Sequence, residues 1–315
     1  MSRRGKNRRD IVDGVLLLNK PAGLSSNQAL QRVKYALNAR KAGHTGSLDP
    51  AATGMLPLCF GEATKVSAFL LGADKTYRVV ASLGERTDSG DATGNRIESA
   101  DVPALGFAEW ERLLGEFIGE TMQVPPMYSA LKKDGKRLYE LARRGEEVER
   151  EPRPITVYEA ELLECAGRRL VFRVRCSKGT YIRTLVEDLA AKAGTVAYTQ
   201  NLHRESVGCF DSKAMIDVSR IERAETPAEV RQWLISPDQA LLSLDQAHIS
   251  REAADRFCGG QPVPAKAATN GLVRVYRDDD LFLGVGELAE DGMLAPKRVF
   301  SLSSPVAASN SAPAA

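Results

Sequence analysis

Asp49 stands in a stretch built for chemistry: Gly43-His44-Thr45-Gly46-Ser47-Leu48-Asp49-Pro50-Ala51-Ala52-Thr53-Gly54. A carboxylate can serve as nucleophile, and an imidazole can carry protons. The glycines and the proline break any regular period, so the stretch is expected to be a loop of defined shape. It lacks the Gly-Lys-Ser/Thr end of a phosphate loop and the glycine spacing of a dinucleotide fingerprint. His44, Ser47 and Asp49 suggest a triad, but triad members usually come from separate elements. By residue type alone, Asp49-Pro50 is a turn former and His44 a loop-capping histidine.

Metal and disulfide chemistry find little support. Cys59, Cys165, Cys176, Cys209 and Cys258 are scattered without a Cys-x-x-Cys pair, and His44, His203 and His248 are the only histidines. The chain has 315 residues, 43% hydrophobic and 27% charged, which suits about two soluble domains and excludes a wholly disordered protein. No apolar run approaches the ~20 residues of a membrane span. The basic arm around Arg3, Arg4, Lys6, Arg8 and Arg9 has no apolar segment behind it before Asp10. It does not read as a secretory signal, and a cytoplasmic location is expected.

Net charge is only +2, so charge distribution matters more than its sum. Basic residues cluster in the arm, in a second group at Lys132, Lys133, Lys136, Arg137, Arg143 and Arg144, and in a third from Arg168 to Arg183. In the third, Leu170, Phe172, Val174 and Cys176 alternate with Arg173 and Arg175, as in a half-buried strand with a basic outer face. Such a stripe suits a phosphate backbone, and equally a solvated edge.

The elements around the loop follow from periodicity. Val15 to Leu18 reads as a strand, and Pro21-Ala22-Gly23 as a turn. Ser25 and Gln28 stand at capping-box spacing before a helical face of Leu30, Val33 and Leu37. A strand over 55–60, a helix over 63–71 and a strand over 76–83 with Tyr77, Val79 and Ala81 on one face come next. Trp110, Leu113, Leu114, Phe117 and Ile118 mark a helix. Residues 123–153 look like an excursion from the body. Ile182, Leu185, Val186 and Leu189 mark another helix. Strands flanking Arg277-Asp278-Asp279-Asp280 predict a hairpin, and a third strand ends at Phe300. The organisation expected is a basic arm over 1–10, a main domain over 11–245, a small β domain over 246–302 and a disordered tail over 303–315.

Taken together, these motifs resemble the TruB-type tRNA pseudouridine synthases. The loop resembles that family's catalytic loop, and Asn19-Lys20-Pro21-Ala22-Gly23 its leading motif. Asp74-Lys75-Thr76-Tyr77-Arg78-Val79 resembles its tyrosine strand. Gly179-Thr180-Tyr181-Ile182-Arg183-Thr184-Leu185 resembles its arginine motif. The resemblance runs over about residues 13 to 210, and the C-terminal region is similar to a PUA-like RNA-binding domain. It implies an α+β fold with a mixed, largely antiparallel sheet and flanking helices. It also implies isomerisation of uridine 55 in the tRNA T loop, with neither metal nor organic cofactor.

The same resemblance assigns roles. Asp49 matches the nucleophile, and Tyr77 the ring that stacks on uracil with a hydroxyl able to aid removal of the C5 proton. Arg183 matches a partner for Asp49, expected as a bidentate salt bridge. Tyr181 and Leu202 match walls of the uracil pocket, and His44 the residue that fills the space left by the flipped nucleotide. Residues 123–153 resemble the family's thumb. Candidate phosphate contacts are Lys20, Lys65, Lys132, Lys133, Arg143, Arg173, Arg175 and Arg204. His203 departs from the arginine common in the family. The expected partner is tRNA, through its T arm and acceptor stem, with the enzyme a monomer needing no membrane and no obligate protein partner. Two other readings use the same surfaces: an RNA-binding tRNA folding factor with secondary catalysis, and a related synthase with another RNA target.

Overall fold

The computed structural model describes residues 9–133 and 135–301. The basic arm expected over 1–10 lies outside these residues except for Arg9 and Asp10, and the tail over 303–315 lies outside them entirely.

Strand β1 (Gly14–Lys20) enters helix α1 (Ser26–Ala36) through the expected turn and cap. Gln28 N–H donates to Ser25 Oγ at 3.2 Å, and Ser25 N–H to Gln28 Oε1 at 2.9 Å, so two orphan amides are satisfied reciprocally. Ala29, Leu30 and Val33 form the buried face of α1. The loop that follows is not wholly irregular. Ala42–His44 is a short strand, β2, paired with the end of β3 (Thr53–Phe60). The helix expected over 63–71 comes as a 3-10 turn, Gly61–Val66, followed by α2 (Ser67–Gly72).

Next come β4 (Lys75–Leu83), the small ribbon β5 (Glu85–Thr87) and β6 (Arg96–Ser99), and helix α3 (Phe107–Gly115). Ile118 falls outside α3 and is exposed. After β7 (Gly119–Gln123) the chain makes the expected excursion, containing β8 (Lys132–Lys133), β9 (Lys136–Arg137) and α4 (Leu138–Ala142). It returns through β10 (Arg153–Ala166) and β11 (Arg169–Cys176) to α5 (Ile182–Lys192), β12 (Ala197–Val207) and β13 (Ile216–Asp217). Short helices α6 (Val218–Glu222) and α7 (Pro227–Arg231) lead towards the C-terminal region.

Nine of these strands form one sheet of order β13-β1-β3-β12-β4-β11-β10-β7, with β2 added beside β3. Pairing is antiparallel except at β1–β13 and β3–β12, which makes the sheet mixed and largely antiparallel. Its two faces differ. Leu16, Leu18, Leu56, Leu58, Tyr77, Val79, Phe172 and Val174 point into the main core with α1, α3 and α5. On the other face, Val15, Leu17, Met55 and Cys59 meet Val285 and Phe300 from the C-terminal region. Hence β1 is apolar nearly throughout, whereas β4 alternates, because only its Tyr77 face is covered.

The C-terminal region has its own five-stranded sheet, order β14-β16-β17-β18-β15: β14 (Asp245–Ile249), β15 (Val263–Pro264), β16 (Gly271–Arg277), β17 (Phe282–Leu288) and β18 (Met293–Val299). The expected hairpin is β16–β17. Helix α8 (Arg251–Cys258) was not anticipated. It buries only Ala254 and Phe257, too few apolar positions to announce a helical period.

Phe172 is fully buried at the centre of the main core. Phe172→Ala is expected to cost about 3–5 kcal/mol of stability, measurable as a lower urea midpoint with an unchanged slope.

Candidate active site

The 43–54 loop folds as it does because buried side chains hold its carbonyls and amides. Ser26, at the first turn of α1, is buried. Its hydroxyl donates to Leu48 O at 3.0 Å and accepts from Leu48 N–H at 2.8 Å. Lys20, at the end of β1, is fully buried and donates through Nζ to Leu24 O at 2.7 Å, Pro21 O at 2.9 Å and Pro50 O at 3.3 Å. Arg204, on β12, donates from Nε to Met55 O at 2.6 Å and from Nη2 to Gly46 O at 2.9 Å. Gly54 permits this packing. Its φ is +98°, and a Cβ there would lie 2.3 Å from Arg204 O.

These anchors present Asp49 at the mouth of a cleft lined by Ala51, Ala52, Asp91, Arg183, Thr199, Gln200 and Leu202. Arg183 Nε lies 3.0 Å from Asp49 Oδ2. The bidentate fork expected from sequence is not formed. Arg183 instead donates from Nη1 to Ser89 O and from Nη2 to Tyr128 O, each at 2.6 Å, so the rest of its donor face is spent on backbone. The arginine is buried while the Asp49 side chain remains 43% exposed. One partner is thus a fixed cation and the other an accessible carboxylate.

Electrostatics tune this group. Desolvation raises the Asp49 pKa, Arg183 and Lys20 oppose the rise, and nearby Asp91 adds to it. In the sequence, Asp91 belongs to the Asp88-Ser89-Gly90-Asp91 loop, which resembles a family loop and has an incomplete calcium-like spacing to which no metal is assigned. Its closeness to Asp49 was not anticipated. Asp91 is buried and held by Ser89 Oγ at 2.8 Å, Thr93 N–H at 2.9 Å and Thr93 Oγ1 at 2.6 Å. Gln123 was missed. Its side chain bonds both polar atoms of the Tyr181 backbone.

Tyr77 pairs with Arg204 across β4 and β12, and Leu202 pairs with Val79, so Tyr77 and Leu202 share the sheet face that carries Asp49. Burial raises the Tyr77 pKa, with the Arg204 charge and hydrogen bond opposing. Tyr181 is half-buried at the N-terminus of α5. His44 sits on β2. Burial lowers its pKa, and the Arg204 charge lowers it further, which favours a neutral ring.

The phosphate candidates divide. Lys20 and Arg204 are interior, bonded to the loop, and out of reach of a phosphate. Lys65 is tied to Glu62 and donates to Val299 O at 2.7 Å, joining the 3-10 turn to the end of β18. Arg173 pairs with Glu205 and Glu161, and Arg175 with Glu159 and Asp74. Both arginines stand on the face opposite Tyr77, so the basic outer face read from β11 is a ladder of ion pairs away from the cleft. His203 shares that opposite face and bonds Thr53 Oγ1 at 2.8 Å. Lys132, Lys133 and Arg143 remain exposed on the 123–153 excursion.

The chain is similar to known proteins over both of its regions. The model of the TruB family pseudouridylate synthase N-terminal domain matches residues 34–182, and that of the pseudouridine synthase II TruB C-terminal domain matches 246–300. The chain is 49% identical to "tRNA pseudouridine synthase B" of Pseudomonas fluorescens over 91% of this chain and 95% of that one. It is 49% identical to the protein of that name from Stutzerimonas stutzeri, over 93% and 96%. A chain in the crystal structure of a Cbf5-Nop10-Gar1 complex superposes with a TM-score of 0.68 at 28% identity, over 88% of this chain and 78% of that one. One in the archaeal box H/ACA sRNP Nop10-Cbf5 complex gives 0.70 at 25%, over 92% and 87%.

Burial holds the Lys20 pKa down to about 8, against 10.5 when unfolded. Between those values the unfolded chain binds more protons, so stability should rise with pH across this window. Unfolding free energies of wild type from urea titrations between pH 8 and 10 should gain on those of Lys20→Met, by at most about 1.4 kcal/mol per pH unit.

Proposed function

The chain belongs to the TruB family of pseudouridylate synthases, RNA isomerases, and on that premise we propose that it converts uridine 55 in the T loop of tRNA to pseudouridine. The observation that carries this reading is Asp49, an accessible carboxylate on a rigid loop with a buried arginine against it. The reaction breaks the bond from uracil N1 to ribose C1′, turns the base and joins C5 to C1′. The C5 proton leaves and N1 gains one, so nothing is oxidised or consumed. What the reaction needs is an anion beside the sugar, a surface that grips a loose uracil, and a route for one proton.

In this reading Asp49 supplies the anion, by attack on substrate or by taking a sugar proton. Arg183 fixes its orientation. The contact runs from Nε to Oδ2, and the Asp49 side chain stays 43% exposed. Tyr77 offers its ring and hydroxyl, and Tyr181 and Leu202 wall the base. A T-loop uridine must leave its stack to reach this cleft, and His44 fills the space vacated. A neutral imidazole suits stacking among bases. Lys132, Lys133 and Arg143, on the excursion, face solvent where a phosphate backbone could lie, and the 246–302 region would take the acceptor stem. The enzyme works in the cytoplasm as a monomer in this reading. Among the described residues, no helix is long and apolar enough to cross a membrane.

Tritium release from tRNA labelled at uracil C5 tests the reaction. Wild type should release label, and Asp49→Asn should lose release while keeping tRNA affinity. Substantial turnover by Asp49→Asn removes that residue from the chemistry. Retained binding without release by wild type favours an RNA-folding role. Tyr77→Phe should lose more turnover than binding, and undiminished turnover would exclude a required hydroxyl. Affinity for tRNA should fall as salt rises, and Lys132→Glu with Arg143→Glu should weaken binding and flatten that dependence.

A further inference from the structure

We infer that Gln123 is a positioning residue that ties the 123–153 excursion to the Arg183–Asp49 pair, so that the chain segment reaching for RNA also holds the chemistry in register. The inference rests on the proposed reaction and concerns how its ion pair is kept aligned.

The excursion leaves the large sheet at Gln123 and rejoins it at Arg153, and these two residues are register partners across β7 and β10. Its root is therefore a single residue pair at the sheet edge. Most of β7 is exposed, as an edge strand should be, but Gln123 is only 4% exposed. Its amide turns inward. Nε2 donates to Tyr181 O at 3.1 Å, and Oε1 accepts from Tyr181 N–H at 2.8 Å. One side chain thus gives one residue the donor and acceptor that a neighbouring strand would give.

Tyr181 is where that help is needed. It is the N-cap of α5, with extended backbone and no side-chain cap of its own. The first amides of a helix lack partners within it, and an uncapped start frays. Two residues on, Arg183 carries the contact to Asp49. The second tether comes from further along the excursion, where Tyr128 O accepts from Arg183 Nη2 at 2.6 Å. Gln123 and Tyr128 therefore clamp residues 181–183 from the same segment. Movement of the excursion at its root shifts Tyr181, which walls the proposed uracil pocket, and Arg183 together.

The residue type is specific. A carboxylate at 123 accepts from Tyr181 N–H but cannot donate to Tyr181 O while ionised, and a thioether cannot donate and accepts only weakly. A small displacement of a catalytic group is enough to cost on the order of 10²-fold in rate.

The test uses full-length enzyme with Gln123→Met, Gln123→Glu, Arg183→Met and the double variant Gln123→Met/Arg183→Met. Single-turnover tritium release is measured beside tRNA affinity by filter binding. Gln123→Met should release label on the order of 10²-fold more slowly with tRNA affinity within about threefold of wild type. Gln123→Glu, which keeps shape and one bond, should fall between the two. The double variant should be no slower than Arg183→Met, since Gln123 acts through that arginine. Rates for both Gln123 variants within about twofold of wild type overturn the inference. So does an additive loss in the double variant, or a loss of affinity matching the loss of rate. If Gln123→Met does not fold, an unimpaired Gln123→Glu overturns it by itself. Wild type that releases no label overturns the proposed reaction, and this inference falls with it.

Discussion

Much of the structure depends on where one guanidinium can be buried. Arg183 reaches Asp49, Ser89 O and Tyr128 O from the start of α5. A buried cation is tolerable only if its donors are matched, and these partners come from three separate segments of chain. The 43–54 loop, the turn after β5 and the 123–153 excursion must therefore meet at one point. Satisfying the arginine and assembling the cleft are the same geometric requirement.

Two further cations complete the arrangement from beneath. Lys20 faces Pro50 O and Arg204 faces Gly46 O, carbonyls of the irregular segment between β2 and β3, and Arg204 also reaches Met55 O near the start of β3. Backbone left unpaired in the interior would cost more than these interactions gain. The result is a rigid irregular loop, which a site needs when a carboxylate must meet a substrate atom without rearranging. Arg204 also sits across from Tyr77 and acts on His44, so one buried charge biases two aromatic groups.

The sheet separates tasks by face. On the side of Tyr77 and Leu202 it supports the cleft and the main core. On the other side its apolar end receives Val285 and Phe300, and its polar end carries the ion-paired arginines of β11. The pairing of Arg173 and Arg175 with carboxylates keeps a solvated face close to neutral. Among the described residues of the excursion, Lys132, Lys136, Arg143 and Arg144 are exposed.

Local patterns in the sequence determined the local structure. Ser25 and Gln28 announced a capped helix, Tyr77-Val79-Ala81 a one-sided strand, and the glycines around Asp49 a shaped loop, because period and backbone freedom are properties of adjacent residues. The family motifs likewise named Asp49, Tyr77 and Arg183. Tertiary structure decided where long polar side chains end. Lys20 and Arg204 looked like surface cations and are interior struts, Arg173 and Arg175 turn away from the cleft, and Arg183 meets Asp49 through one nitrogen rather than two. Gln123 gains its meaning from Tyr181, a partner distant in sequence, and the influence of Asp91 on Asp49 likewise arises only on folding. A lysine, arginine or glutamine carries its polar group several bonds from the backbone. Which buried carbonyl or carboxylate it meets depends on segments that only folding brings together.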